Sequence, residues 1–121
     1  MKKNQKDRVF VEKVWGSEDW IENSPLYCGK KMTLKKGYQC STHSHLVKAE
    51  TFYVSSGRML LRYGYGETME EVIMEPGDSF FIPVGMRHQF QGLEDTEFFE
   101  FSTQHFDDDC VRFSASGKVG E

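Results

Sequence analysis

Three of the four histidines in the sequence, together with one glutamate, have the types and spacing to hold a metal ion. His43 and His45 are separated by a single residue, and Glu50 follows after a short gap. Residues i and i+2 of a β-strand project to the same face, so an extended backbone turns both imidazoles the same way. His88 follows the segment Pro83-Val84-Gly85-Met86-Arg87, which reads as a turn after an apolar run. Three neutral imidazoles and a carboxylate form a nitrogen and oxygen set suited to a divalent first-row ion such as zinc, manganese, iron or nickel. Taken alone, a His-x-His pair is more often two exposed polar residues, so the reading rests on what surrounds it.

The elements that must position these residues are strands. Helical periodicity is absent, and short apolar or alternating runs are separated by Gly, Pro, Asn and Asp. The pattern predicts strands at 8–14, 18–23, 26–34, 38–44, 50–55, 58–65, 69–74, 79–82, 87–92, 96–103 and 109–114. The punctuation is clear at Asn23-Ser24-Pro25, Ser55-Ser56-Gly57 and Glu75-Pro76-Gly77-Asp78. An aromatic share of 14% suits pleated, half-buried surfaces. So many short strands in 121 residues must close on themselves or pack as two sheets. The expected organisation is one domain over residues 8–114, with flexible tails at 1–7 and 115–121.

Composition narrows the partners. The net charge is −4 with no basic stripe, which argues against nucleic acid. No apolar run follows the Lys-rich start and no segment reaches membrane-spanning length, so neither export nor a membrane partner is expected. Cys28, Cys40 and Cys110 lack CxxC pairing, which fits reduced thiols in a cytoplasm. If His43 and His45 face inward on a regular strand, Gln39 and Ser41 do too, while Cys40, Thr42 and Ser44 face out. Phe52 and Val54 would then share the inner face with Glu50.

These residues resemble the two motifs of the cupin superfamily. The first, G-x5-H-x-H-x4-E-x6-G, is matched by Gly37, His43, His45, Glu50 and Gly57. The second, G-x5-P-x-G-x2-H-x3-N, is matched by Gly77, Pro83, Gly85 and His88, with Gly92 where Asn is expected. The resemblance implies an all-β double-stranded β-helix, a jelly-roll barrel, with His43, His45, Glu50 and His88 as metal ligands.

Cupins carry many reactions, so the function needs narrower clues. Lys48 gives H-x-H-x-x-K-x-E, which resembles the D-lyxose isomerases, where a Lys at that place is thought to assist proton transfer. A lowered Lys pKa at a partly desolvated mouth would make it a usable acid or base; the alternative is a surface Lys on a turn. The stretch Val14-Trp15-Gly16-Ser17-Glu18-Asp19-Trp20 looks like the opening of the cupin domain of type II mannose-6-phosphate isomerases. Glu100 lies among aromatics in Phe98-Phe99-Glu100-Phe101-Ser102. Facing inward it is a second proton-transfer candidate, across the cavity from Lys48; facing outward it pairs with a cation on the surface.

The resemblance therefore implies a sugar or sugar-phosphate isomerase or epimerase, acting through an enediolate that the metal stabilises, with Lys48 and Glu100 catalytic. Two alternatives stay open: a sugar-binding module without catalysis, and an Fe(II) dioxygenase. Arg58, Arg62, Lys30 and Arg87 are available to hold an anion. His105 reads as a satisfied histidine near the end of a strand, and Asp107 to Asp109 as a solvated turn. Phe99, Phe101 and Tyr53, with the N-terminal strands, point to a homodimer.

Overall fold

The computed structural model of the chain describes residues 7–120. Within them lie thirteen strands and no helix. They run β1 (Val9–Lys13), β2 (Gly16–Asn23), β3 (Cys28–Leu34), β4 (Tyr38–Gln39), β5 (His43–His45), β6 (Glu50–Ser56) and β7 (Met59–Gly64). Then follow β8 (Glu70–Met74), β9 (Ser79–Ile82), β10 (Arg87–Gly92), β11 (Thr96–Ser102), β12 (Cys110–Arg112) and β13 (Gly117–Lys118). All pairings are antiparallel. One sheet has the order β1-β2-β3-β11-β6-β9. The other is built around β10, which pairs with β7 along one edge and with β5 and β4 along the other. Two such sheets make the jelly-roll expected from the sequence.

Alternation on the strands divides the interior into an apolar end and a polar end. On β3 the buried positions are Cys28, Lys30, Met32 and Leu34; on β6 they are Glu50, Phe52 and Val54; on β11, Thr96, Phe98 and Glu100. Register sets the neighbours of each inward residue. Phe98 lies opposite Met32 and Val54, whereas Glu100 lies opposite Lys30 and Phe52. The apolar end is sealed by Phe52, Phe90 and Phe98, whose rings meet edge to face with centroids 5.1–6.0 Å apart, and by Trp15 at 4.9 Å from Phe90. Burying such side chains contributes roughly 1.5–3 kcal/mol each, and this cluster anchors the strands that carry the polar end.

One turn shows why its residue is glycine. Gly57 leaves β6 at φ +86°, and a Cβ there would lie 2.6 Å from the Cα of Thr96.

Two expectations need correction. The strand predicted at 38–44 is broken into β4 and β5, because the N–H groups of Ser41 and Thr42 donate to the side-chain oxygens of Ser116 and Ser114 rather than to a neighbouring strand. Inward–outward parity fails across that break. Cys40, expected outside, is buried in the apolar core, with its sulfur accepting the N–H of Phe90. In the segment that supplies Ser114 and Ser116, β13 pairs with β4, and residue 121 of the tail expected over 115–121 lies outside the described residues. Of the N-terminal tail expected over 1–7, residues 1–6 lie outside the described residues.

Candidate metal centre

β5 and β10 place the three histidines together. His88 is the register partner of His43, and the ring centroids of His43, His45 and His88 lie 4.4–5.3 Å apart. One nitrogen from each falls within 4.8 Å of the others, a group that could hold a metal ion. Each Nδ1 sits against a main-chain carbonyl: His43 against Ser41 at 2.7 Å, His45 against Asp109 at 3.2 Å and His88 against Met86 at 3.0 Å. A carbonyl only accepts, so each neutral ring carries its proton on Nδ1 and turns the Nε2 lone pair inward. That is the tautomer a ligating imidazole needs.

Glu50, at the start of β6, stands beside this group. Its Oε2 is 3.0 Å from His45 Nε2, and its Oε1 is 3.7 Å from His88 Nε2. An approach of 3.0 Å between two lone-pair carriers requires a positive centre between them, either a proton or a metal ion. Glu50 Oε2 meets only the His45 ring edge and, at 3.6 Å, Lys48 Nζ, and His88 Nε2 is buried with no hydrogen-bond partner among the described residues. Buried polar atoms are rarely left so. The donor set and its orphaned nitrogen therefore fit a divalent ion.

Electrostatics acts on these candidate ligands in a common direction. Burial, then the neighbouring His88 and His45, hold His43 down to about 3, and burial also lowers His88. Burial raises the Glu50 carboxyl, but the facing His45 edge and the Lys48 ammonium outweigh it and leave a lowered pKa.

The two other candidates come together rather than facing each other across a gap. Lys48 Nζ is 3.0 Å from Glu100 Oε2 and 3.6 Å from Glu50 Oε2. All three side chains are nearly inaccessible to solvent, so Lys48 is no surface lysine and Glu100 faces inward. Burial would depress Lys48, as the sequence suggested, but Glu100 and then Glu50 reverse this and raise its pKa. Lys48 is therefore held as an ammonium ion.

A second polar cluster adjoins this one. Lys30 Nζ lies 3.4 Å from Glu18 Oε1, 3.1 Å from His105 Nδ1 and 4.5 Å from the centre of the Trp20 ring. His105 Nδ1 is also 3.4 Å from Lys48 Nζ, while its Nε2 donates to Asp107 at 2.9 Å. His105 is satisfied, as expected, but within the cavity wall. Lys30 was visible only as a loose cation, yet its phase with Cys28 and Met32 on β3 marks it as inward. Asp109, read as part of a solvated turn, is buried, and its carboxylate accepts the N–H groups of Leu46, Val47 and Lys48. No local signal in the sequence points to that.

His43, His45, Glu50, Lys48, Glu100, Lys30 and His105 line one cavity of about 570 Å³, together with the apolar Trp15, Met32, Phe52 and Phe90. That is the size and character of a small-molecule site. Cys110 also reaches it, and burial raises its thiol pKa.

Residues 30–101 match the family model described as a cupin domain. The chain is 31% identical over 108 residues to a mannose-1-phosphate guanylyltransferase of Salmonella montevideo, and 29% identical over 107 residues to the xanthan biosynthesis protein XanB of Xanthomonas campestris pv. campestris. These alignments cover 86% and 85% of this chain but 22% of each relative, so the chain spans about a fifth of their length. Among solved structures, the capsular polysaccharide assembling protein CapF from Staphylococcus aureus superposes with a TM-score of 0.79 at 21% identity, over 92% of this chain and 35% of that one. This last likeness is one of fold.

Proposed function

The chain belongs to the cupin family, and we propose that it is a metal-dependent enzyme isomerising or epimerising a sugar or sugar phosphate. In this reading His43, His45, Glu50 and His88 hold a divalent ion, which when bound supplies Lewis acidity toward adjacent substrate oxygens. Glu100 takes the proton from the carbon beside the carbonyl, and the Lys48 ammonium, held against it, donates or steadies a proton on oxygen. The observation that carries the reading is the buried Lys48–Glu100 contact of 3.0 Å, one carboxylate away from the histidine group. A buried ion pair is weak evidence of a purely stabilising role, since replacing both charges by apolar groups is often neutral or stabilising. The relatives named for mannose-1-phosphate and xanthan support a carbohydrate substrate.

The test is interconversion of mannose, lyxose, fructose and their phosphates by protein loaded with Mn(II), Zn(II) or Fe(II). Turnover that disappears on chelation and in Glu100→Gln supports the proposal. Absence of turnover with every ion removes it.

A second reading is a sugar-binding module that transforms nothing. It is favoured by the small share of each relative that the chain spans, as expected of a unit that works beside other domains. Saturable sugar binding without turnover would select it.

We further propose that the protein works in the cytoplasm, with its three cysteines free, and that it is a homodimer. Phe81 and Phe101 are more than half exposed on the outer face of the six-stranded sheet, where Phe99 and Phe101 stack and Tyr53 adjoins. Sedimentation at micromolar concentration should give twice the chain mass; a monomer would contradict the dimer.

A further inference from the structure

We propose that Lys30 and Lys48 form an anion-binding pair in the cavity, so that the sugar taken by this site carries a carboxylate or a phosphate. The inference deepens the sugar-directed reading and rests on it.

The geometry starts from one nitrogen. Two ammonium groups approach the same His105 Nδ1, Lys30 at 3.1 Å and Lys48 at 3.4 Å. An imidazole nitrogen has one lone pair. The His105 tautomer offers no more, since its other nitrogen donates its proton to Asp107. Two cations thus share one weak acceptor inside a buried wall, where a ligand oxygen bearing negative charge would serve both better. Lys30 is otherwise held by Glu18 at 3.4 Å and by the face of Trp20, and Lys48 by Glu100 at 3.0 Å and Glu50 at 3.6 Å. Both side chains are therefore positioned in advance.

Charge balance points the same way. Four cationic side chains and four carboxylates line the cavity, so it is close to neutral by itself. A divalent ion at the histidines leaves it with two positive charges in excess, and a neutral sugar does nothing to offset them.

The other candidate anion holders are committed elsewhere. Arg62 bonds to Glu71, Gln89 and Gln91, Arg87 lies over Phe113, and Arg58 pairs with Glu75. Of the four cations open to this role in the sequence, only Lys30 lines the cavity.

The experiment is calorimetric titration of the full chain, metal-loaded and chelated, with glucose, glucuronate and glucose 6-phosphate, and with the fluorescence of Trp15 and Trp20 followed in parallel. One of the anionic sugars should bind at least about tenfold more tightly than glucose, a difference of ~1.4 kcal/mol. Which of them does so decides between carboxylate and phosphate. Lys30→Gln should erase the preference and leave metal affinity unchanged, and Lys30→Arg should keep it. Equal binding of neutral and anionic sugars by the wild-type chain overturns the proposal even if Lys30→Gln does not fold. So does binding of none of the three, or a preference that survives in Lys30→Gln. Anion preference without turnover of any sugar removes the isomerase and leaves the subsite. Turnover of neutral sugars without preference does the reverse.

Discussion

The main-chain carbonyl of Asp109 accepts the Nδ1 proton of His45 at 3.2 Å, while the carboxylate of the same residue takes the N–H groups of Leu46, Val47 and Lys48 at 2.8, 2.9 and 3.1 Å. One buried residue on the segment leading into β12 thus orients a candidate ligand and shapes the turn that delivers both Lys48 and Glu50.

Asp109→Ala releases three backbone donors together and loosens that turn. Changes to groups that orient ligands typically cost about 10–100-fold in metal affinity. We expect a loss in that range for zinc, measured by competition with a chromogenic chelator, and a smaller loss in Asp109→Asn, which keeps one acceptor oxygen. Wild-type affinity in Asp109→Ala would show that the turn holds its shape without the carboxylate.

Acid should unfold the metal-free protein. In the unfolded chain a histidine binds its proton near pH 6.5, whereas burial and then its histidine neighbours hold folded His43 to about 3. Between those values the unfolded state binds a proton that the folded state refuses, so stability falls as pH drops through that window. The slope is up to about 1.4 kcal/mol per pH unit for each such group. His88, lowered by burial, adds to it. Glu50 acts in the same direction at lower pH: its lowered pKa gives stability that is present above the unfolded carboxylate value and lost as pH falls toward the folded one. Melting temperatures of chelated protein should decline steadily from pH 7 to pH 4. A flat profile would mean that His43 and His88 are not buried in the folded chain.

The strand pattern was legible because each strand writes its own alternation. Glu50, Phe52 and Val54 on β6, and Phe98 and Glu100 on β11, take the inward positions that parity gives them. Parity failed between Gln39 and His43, where a distant segment intervenes. Ser114 and Ser116 occupy the backbone donors there, and nothing near residue 40 announces it. The direction of the Lys48 pKa was hidden for the same reason, since it depends on Glu100, 52 residues away. Local periodicity shows which face a residue takes, and contacts between remote segments decide what it meets there.

Gly92 illustrates a departure from the family motif with a local cause. A Cβ at this position would collide with the main-chain carbonyl of Lys35 and press on the Leu34 side chain at 3.2 Å. The carbonyl of Gly92 also accepts the N–H of Gly37 at 2.9 Å, holding the two segments close. Restoring the motif with Gly92→Asn should therefore destabilise the fold, by an amount in the range of about 1–3 kcal/mol seen for overpacking. A lowered midpoint in urea checks this, and an unchanged midpoint would show that the segments can part.

Lys48 and Glu100 should behave as a unit rather than as two independent residues. Lys48→Met leaves Glu100 and Glu50 buried without their shared cation, and breaking such a pair from one side costs roughly 3–5 kcal/mol. Adding Glu100→Gln removes one of the two stranded charges, so the double variant should recover part of that loss instead of adding to it. Because neither residue belongs to the proposed ligand set, metal uptake should persist in any variant that folds, while turnover falls in all of them. Thermal melts of the two single variants and the double variant, with and without Mn(II), separate these effects. Additive losses would mean that the 3.0 Å contact contributes nothing to stability, and full turnover in Glu100→Gln would assign the proton to some other group.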